Sequence, residues 1–228
     1  EMRQQLNMVL ETGNQAYIDA ILTRVFDDEM TLLRGARAQR ERMRMSLLTT
    51  GGISISANGQ DYDYDYGLKD YQNVTVKKAW SDPTADIITD IEEWIQDIVD
   101  HTGVRPERAV LTSTTWKYFR NNNLIRNAIW GNDSVAPVSA EKVLSYVEDT
   151  LKLKIARYDK KFIDEQGAIK NYVPDDLFVL IPPGKLGKGW FGTTPEQSDL
   201  MSGAAANVVI TDTGVAITTV KKTDPVNV

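Results

Sequence analysis

The chain has 228 residues and a net charge of −6, with 42% hydrophobic and 25% charged residues, a composition that is ordinary for a globular protein with a substantial core. It has no cysteine and a single histidine, His101, which excludes disulfides and thiolate catalysis and leaves little material for a zinc site. The negative charge argues against a free-standing nucleic-acid-binding module, and the sequence has neither an apolar run of about 18 residues nor a signal-peptide pattern.

The first 50 residues have the apolar spacing of helices. Apolar side chains recur every three or four residues up to Phe26 and again from Met30, and the acidic triplet at residues 27–29 divides the two predicted helices. Threonines and glycines at residues 49–52 predict the end of the second helix.

The second predicted helix carries five arginines. They are candidates for contact with DNA phosphate or with acidic neighbouring subunits, and three of them are the candidate inter-subunit contacts: Arg37, Arg40 and Arg44. A solvated helix face is the alternative interpretation, and the pattern leaves both open.

A β-hairpin is predicted from residue 53 to residue 66. Isoleucine alternates with serine before the turn signal Asn58-Gly59, and aspartate alternates with tyrosine after it. Alternation in a strand places these two residue types on opposite faces, which suits packing onto another subunit with a basic surface. The candidate contact residues are Asp61, Tyr62, Asp63, Tyr64, Asp65 and Tyr66. A further strand is predicted at residues 74–78.

The same acidic stretch partly matches a calcium-binding loop of the form DxDxDG. The match fails because Tyr66 stands where the loop needs glycine, and Gln72 stands where a glutamate should bind the ion. We therefore expect no calcium site.

The strongest helical pattern follows, with Asp82 as the predicted N-cap, Pro83 in the first turn and Gly103 at the end. A continuous apolar stripe runs along it. At about 1.5 Å per residue, this helix would be roughly 30 Å long. His101 lies in its last turn, where we expect a capping role rather than catalysis.

From residue 105 onwards, strand and helix patterns alternate. Strands are predicted at residues 109–111, 151–156 and 177–181. Ser113 and Ser139 are predicted helix N-caps. Two hairpins are predicted at residues 161–173 and 207–220.

Residues 187–192 spell GxGxxG, the pattern with which dinucleotide-binding proteins hold a pyrophosphate. The context is unfavourable, because Pro-Pro-Gly at residues 182–184 already ends the preceding strand and no long helix follows. A glycine-rich loop that holds Trp190 and Phe191 is the other interpretation. Since no group of residues indicates catalysis, we expect neither enzymatic activity nor a cofactor.

The region around this loop resembles the lambda-type major capsid proteins of tailed bacteriophages, the major capsid protein E family. The similarity lies in LIPPGKLG at residues 180–187 and WFGTTPE at residues 190–196. Shorter stretches agree with that family in order and spacing at residues 47–51, 65–67 and 80–83. The order of predicted elements resembles it over nearly the whole chain, which implies a phage or prophage origin.

The resemblance implies an α+β protein with the Hong Kong 97-type capsid fold. Its expected parts are an N-terminal helical segment (residues 1–48), an extended hairpin loop over a neighbouring subunit (49–80), a peripheral domain with a long spine helix (81–105 and 205–228) and an axial domain (106–204). An N-terminal arm is expected ahead of the first helices but is not visible, so we expect terminal segments to lie outside this sequence.

The function implied by the resemblance is that of a head protein, with no enzymatic role. Such a subunit self-assembles into hexamers and pentamers around double-stranded DNA, with a scaffold as partner and no membrane, and whether a decoration protein is needed stays open. It would be found in the virion and, during assembly, in the bacterial cytoplasm. The hairpin residues, the three arginines, Trp190 and Phe191 are then candidate inter-subunit contacts. The alternatives are an encapsulin-like compartment shell and a nucleotide-binding protein that uses the loop from Gly187 to Gly192.

Overall fold

The computed structural model describes residues 15–57, 59–131, 137–164, 166–194, 198, 207–212 and 215–219. The chain divides into two units, one formed by Glu41–Gly187 and the other by Glu1–Arg40 with Lys188–Val228. Helices and strands are mixed, as expected for an α+β protein. Over the described part of the chain, no helix combines the length and the apolar composition that crossing a membrane requires.

The first helix, α1, spans Gln15–Thr50 without interruption. The predicted division at residues 27–29 is therefore wrong, because acidic residues are tolerated inside a helix and this stretch has no proline to stop it. The predicted end is confirmed. Gly51 follows with a φ of 71°, a left-handed conformation that glycine adopts without strain.

The predicted acidic and aromatic hairpin is confirmed. Strand β1 spans Gly52–Ala57 and pairs antiparallel with β2, which spans Gln60–Asp65. Gly59 has a φ of 73° in the turn, and Asn58 lies outside the described residues. A short 3-10 helix, Asp70–Gln72, follows the hairpin.

Helix α2 spans Ile87–Thr102, and its N-cap is Asp86, whose carboxylate accepts a first-turn backbone N–H at 3.3 Å. The predicted N-cap at Asp82 is wrong, since this residue closes a separate turn and accepts the backbone N–H of Thr84 at 2.8 Å. With 16 residues, α2 is about 24 Å long, shorter than expected. Gly103 ends it as predicted, with a φ of 69°.

The predicted strand at residues 74–78 is not formed. A strand needs a hydrogen-bonded neighbour, and the side chains of this segment instead contact α2, the turn before it and the core. Lys77 pairs with Glu93, Lys78 pairs with Asp82 at 3.1 Å, and Val76 packs against the core.

A three-stranded sheet forms the centre of the remaining Glu41–Gly187 unit. Strand β3 (Arg108–Leu111) lies in the middle, parallel to β4 (Lys154–Arg157) and antiparallel to β7 (Phe178–Ile181). The helices between β3 and β4 are α3 (Ser113–Asn121), α4 (Asn123–Trp130) and α5 (Ala140–Leu151).

Both predicted hairpins are present. One pairs β5 (Lys161–Ile163) with β6 (Ile169–Asn171), and the other, in the second unit, pairs β8 (Asn207–Asp212) with β9 (Val215–Thr219).

Two local predictions in this region need correction. Thr112, not Ser113, is the N-cap of α3, because Ser113 is already helical and donates both its backbone N–H and its hydroxyl to Asp159. The strand predicted from residue 151 begins only at Lys154, since Leu151 still belongs to α5. The Ser139 N-cap of α5 is confirmed, with its hydroxyl oxygen 3.3 Å from the backbone nitrogen it caps.

The core of the Glu41–Gly187 unit lies between α2, the sheet and helices α3 to α5. Its aromatic centre is Trp80, whose ring is 5.4 Å from Phe119 and 5.6 Å from Phe178. Each large apolar side chain buried here stabilises the fold by about 1.5–3 kcal/mol. The buried members from helices α2 and α5 and strand β3 are Ile87, Ile91, Ile95, Val143, Val147, Leu151, Ala109 and Leu111.

Two buried polar groups fix the geometry around this core. The indole Nε1 of Trp80 donates to the carboxylate of Asp90 at 2.9 Å. The amide of Asn122 caps α4 and also donates to the carbonyl oxygen of Ala85 at 2.7 Å. Removing either partner would leave a buried polar group unpaired, which costs about 1–3 kcal/mol.

Candidate interaction surfaces

One face of the β1–β2 hairpin is aliphatic and aromatic. Ile53 lies opposite Tyr64, and Ile55 lies opposite Tyr62. Since the Cβ atoms of opposite residues are about 4.5–5.5 Å apart, these four side chains form one patch. The exposed fractions are 46% for Tyr62, 55% for Tyr64 and 63% for Tyr66. Contiguous exposed apolar surface of this kind is typical of interaction sites on soluble proteins.

The opposite face of the hairpin is acidic, as predicted. The hydroxyl of Ser54 donates to Asp63, and that of Ser56 donates to Asp61. Asp65 accepts the backbone N–H of Gly67 at 2.8 Å. These bonds orient the carboxylates without neutralising them, because residues 51–68 contain three aspartates and no lysine or arginine. Among the described residues, no cluster of three acidic or histidine side chains could hold a metal ion.

The hairpin begins at the end of α1, and the 3-10 helix that follows it contacts the C-terminal end of α2. The backbone N–H of Tyr66 donates to the carbonyl of Gly51 at 2.9 Å. Downstream, the ring of Tyr71 stacks on that of His101, with centroids 4.3 Å apart. The Nδ1–H of His101 donates to the carbonyl of Asp97 at 2.7 Å, so the histidine engages the last turn of α2 as its position predicted.

The three candidate arginines lie on α1. Arg37 and Arg44 are exposed, whereas Arg40 is half-buried. The guanidinium carbon of Arg40 is 5.7 Å from the centroid of the Phe191 ring, which is within the range of a cation–π contact. The structure therefore brings together two of the predicted residues, Arg40 and Phe191, within the same chain.

The glycine-rich loop does not have the geometry of a dinucleotide fingerprint. Strand β7 ends at Ile181, and no helix begins from there through Thr194. Arg108 donates to the carbonyls of Pro182 and Gly184, each at 2.8 Å, and so fixes the loop's first turn. The expectation that the loop holds both aromatic residues is wrong for Trp190, which is 89% exposed.

The rings of Tyr158, Phe162 and Tyr172 form an aromatic cluster that sequence reasoning missed. Residues 41 and 42 of α1 contact this cluster. The hydroxyl of Tyr158 donates to the carboxylate of Glu41 at 2.5 Å, and the guanidinium carbon of Arg42 is 5.0 Å from the Phe162 ring centroid. Tyr172 packs against both rings. Burial, and then the hydrogen bond to Glu41, raise the pKa of Tyr158 well above its usual value.

Comparisons with known proteins agree with the resemblance found in the sequence. The family model described as phage major capsid protein E matches residues 1–225. No curated protein matches the chain.

Two solved structures are similar to this chain. One is a protein assigned as a prophage capsid protein of Escherichia coli CFT073, with 20% identity and a TM-score of 0.59, and the alignment covers 89% of this chain and 62% of that one. The other is a phage-related protein of Bordetella bronchiseptica RB50, with 12% identity, a TM-score of 0.44 and coverage of 62% and 41%. The chain thus spans 62% of the length of the Escherichia coli protein, and that similarity establishes a shared fold.

The family match and the fold lead to the same conclusion. The family model covers nearly the whole chain, and the mixed helix and sheet architecture is similar to that of a prophage capsid protein. The chain therefore belongs to the phage major capsid protein E family, which consists of structural proteins of the virion.

Proposed function

We propose that this chain is the head-protein subunit of a phage or prophage and assembles into the hexamers and pentamers of an icosahedral shell around double-stranded DNA. The observation that carries the proposal is the aromatic face of the β1–β2 hairpin, which leaves Tyr62 and Tyr64 about half exposed. Burying apolar surface contributes about 25 cal/mol per Å². Contact with another copy would supply that burial.

We propose the Hong Kong 97-type capsid fold for this chain, in which each part of the chain has a role. Helix α2 is the spine helix, and residues 49–80, which contain the β1–β2 hairpin, are the extended loop over a neighbouring subunit. Residues 81–105 with 205–228 make up the peripheral domain, residues 106–204 the axial domain and residues 1–48 the N-terminal helical segment. The similarity in fold to the prophage protein supports this assignment.

A closed shell needs several contacts on each subunit rather than one strong contact. Contacts that are weak singly become effective together, because each contact raises the local concentration for the next. The hairpin is one candidate contact, and the exposed Arg37 and Arg44 are candidates for contact with acidic surfaces. Trp190 is the third, because tryptophan is enriched among the residues that dominate binding energy at interfaces.

The remaining partners follow from the head-protein role. A scaffold would guide assembly in the bacterial cytoplasm, and a decoration protein could reinforce the finished shell. Packaged DNA would lie near the inner wall without sequence-specific contact. The net charge of −6 suits such a wall, since a strongly basic surface would retain DNA during packaging and ejection.

The test is negative-stain electron microscopy of the full-length protein co-expressed with its scaffold. Closed shells, or rings of five and six subunits, are the expected result. Uniform small particles under all conditions, with the scaffold present, would contradict the proposal. Nuclease-protected double-stranded DNA in shells purified from a productive infection would distinguish a head protein from an encapsulin-like compartment, whose shells would contain cargo protein instead.

A further inference from the structure

The β5–β6 hairpin exposes two isoleucines side by side. Ile163 and Ile169 are directly opposite each other in the antiparallel register, and they are 71% and 69% exposed. Lys161 shares their face because it lies two residues before Ile163 in the strand. This face, made of Lys161, Ile163 and Ile169, is called the isoleucine face below.

The reverse side of the same hairpin is already occupied. Phe162 packs against Tyr172, with ring centroids 5.0 Å apart, and receives the guanidinium of Arg42 at the same distance. The core-side contacts of the hairpin are therefore made by Phe162, and they leave the isoleucine face to solvent.

The hairpin also has a fixed turn. The buried carboxylate of Asp164 accepts the backbone N–H groups of Gln166 and Ala168 at 3.0 and 2.8 Å and pairs with Lys170 at 2.7 Å. These bonds fix the positions of both isoleucines before any partner arrives. A preorganised apolar face loses less conformational entropy on binding than a mobile one.

The surroundings of the isoleucine face are basic. Residues 152–172 contain six lysines or arginines and three acidic residues. Two of the basic side chains are paired with acids, Lys154 with Glu148 at 3.1 Å and Lys170 with Asp164 at 2.7 Å, and the ionised Asp159 lies near Lys161, so the excess of positive charge is modest. The β1–β2 hairpin has the opposite charge, with three aspartates and no basic residue over residues 51–68. The opposite net charges of the two stretches favour the approach of one surface to the other over the approach of two like surfaces, although the aspartates lie on the hairpin face opposite the tyrosines.

We propose that the isoleucine face of one copy receives the aromatic face of the β1–β2 hairpin of a neighbouring copy. The apolar parts correspond, with Ile163 and Ile169 against Tyr62 and Tyr64, and the ammonium group of Lys161 can lie over a tyrosine ring in a cation–π contact. This inference rests on the proposed shell function and names the surface that the hairpin covers.

Engineered disulfides test this contact directly, because the chain has no cysteine of its own. Single variants Tyr62→Cys or Tyr64→Cys are mixed with single variants Ile163→Cys or Ile169→Cys, assembled with the scaffold and mildly oxidised. A disulfide forms only when Cα atoms come within about 7 Å, so the four mixtures cover small differences in register. We expect a reducible dimer in at least one mixture and little in any variant assembled alone.

Two controls make the result specific. Asp63→Cys replaces Tyr64→Cys in the first control, because residue 63 is adjacent to residue 64 but lies on the opposite face of the hairpin, and it should cross-link far less. Arg44→Cys replaces Ile163→Cys in the second and tests whether α1 is the receiving surface instead.

Each alternative outcome has a definite meaning. Normal rings or shells without a dimer in any of the four mixtures would overturn this inference and leave the proposed function intact. A dimer of Ile163→Cys with itself, or of Tyr64→Cys with Arg44→Cys, would overturn it in favour of another contact. If the unmodified chain forms no rings with its scaffold, the proposed function fails, and this inference fails with it.

Charge reversal provides a measurement without cross-linking. Lys161→Glu should raise the protein concentration needed for assembly by roughly fivefold, through loss of the cation–π contact with a tyrosine ring. Lys117→Glu is the matched control, since Lys117 is exposed on α3 and does not belong to the β5–β6 hairpin. Equal effects of the two substitutions would contradict the proposed contact.

Discussion

At the scale of single residues, ionised carboxylates stabilise several turns of the Glu41–Gly187 unit by accepting hydrogen bonds. Asp82 accepts both the backbone N–H and the hydroxyl of Thr84 at 2.8 Å and pairs with Lys78 at 3.1 Å. The two bonds from Thr84, ahead of the one from Lys78, hold the pKa of Asp82 at about 2, below its ordinary value of 3.8. The pKa values of Asp159 and Asp164 are lowered as well, chiefly by hydrogen bonds from Ser113 and Lys170.

This lowered pKa predicts a specific loss of stability in acid. Because the folded state binds the Asp82 proton less readily than the unfolded chain, the stabilisation is present above the unfolded pKa of 3.8 and is lost as the pH falls toward about 2. Urea unfolding of wild type and Asp82→Asn measures the effect. We expect the variant to be less stable at about pH 5 and the two proteins to converge as the pH approaches 2. Parallel stability curves over this range would show that the turn does not depend on the charge.

The start of α2 illustrates why the correct aspartate could not be chosen from sequence. Asp82 and Asp86 both have the local pattern of an N-cap, and Pro83 favours the first. In the fold, Asn122 donates to the carbonyl of Ala85, and the backbone N–H of Asn123 donates to the carbonyl of Pro83. These two donors come from much later in the chain, so no local sequence pattern contains them. They bind carbonyl oxygens that would accept hydrogen bonds within the helix if the helix began at Asp82.

At the scale of elements, the β1–β2 hairpin depends on two glycines with similar backbones and different surroundings. Gly51 and Gly59 have φ values of 71° and 73°. A Cβ atom on Gly51 would lie 2.2 Å from Cγ of Leu68, whereas one on Gly59 would meet no heavy atom within 4 Å. Leu68 therefore packs directly on the chain reversal between α1 and β1.

Alanine at these two positions should separate backbone strain from steric conflict. Gly59→Ala should destabilise the hairpin by about 1 kcal/mol, the cost of a left-handed conformation for a residue with a Cβ atom. Gly51→Ala should cost about 1–3 kcal/mol more, because Leu68 must also move. Hydrogen exchange of the β1–β2 amides measures both effects. Equal losses of protection in the two variants would show that Leu68 moves away at no cost.

Elements defined by local signals were predicted best. The Asn-Gly turn and the alternation of aspartate with tyrosine gave the β1–β2 hairpin with the correct residues on each face. The segment at residues 74–78 has strand-like residues but was wrongly predicted, because a strand also needs a neighbour to pair with. The contact of Tyr158 with Glu41 joins residues 117 positions apart, and sequence patterns give no signal for it.

At the scale of the whole molecule, the residues that build the fold differ from those that would join copies together. Ile91 is fully buried against the core of the Glu41–Gly187 unit. In contrast, the aromatic face of β1–β2 and the isoleucine face of β5–β6 project apolar side chains into solvent. A two-stranded hairpin is marginal by itself, so the β1–β2 hairpin would gain most of its order from the surface it covers. Folding and assembly should therefore respond to different substitutions.

Substitution of the aromatic face tests this separation. The double variant Tyr62→Thr/Tyr64→Thr keeps good strand-forming residues, so the main unfolding transition of the free subunit should change by no more than about 0.5 kcal/mol. Ring and shell formation should be lost, because the apolar surface that drives the contact is gone. Ile91→Ala is the opposite control, and it should destabilise the subunit by about 2–5 kcal/mol through the cavity it leaves in the core. Denaturant unfolding of the subunit and electron microscopy of scaffold-assisted assembly measure the two properties separately. A double variant that still forms shells at wild-type concentration would show that the tyrosines face solvent in the assembly as well, and the hairpin would then have to act through its acidic face.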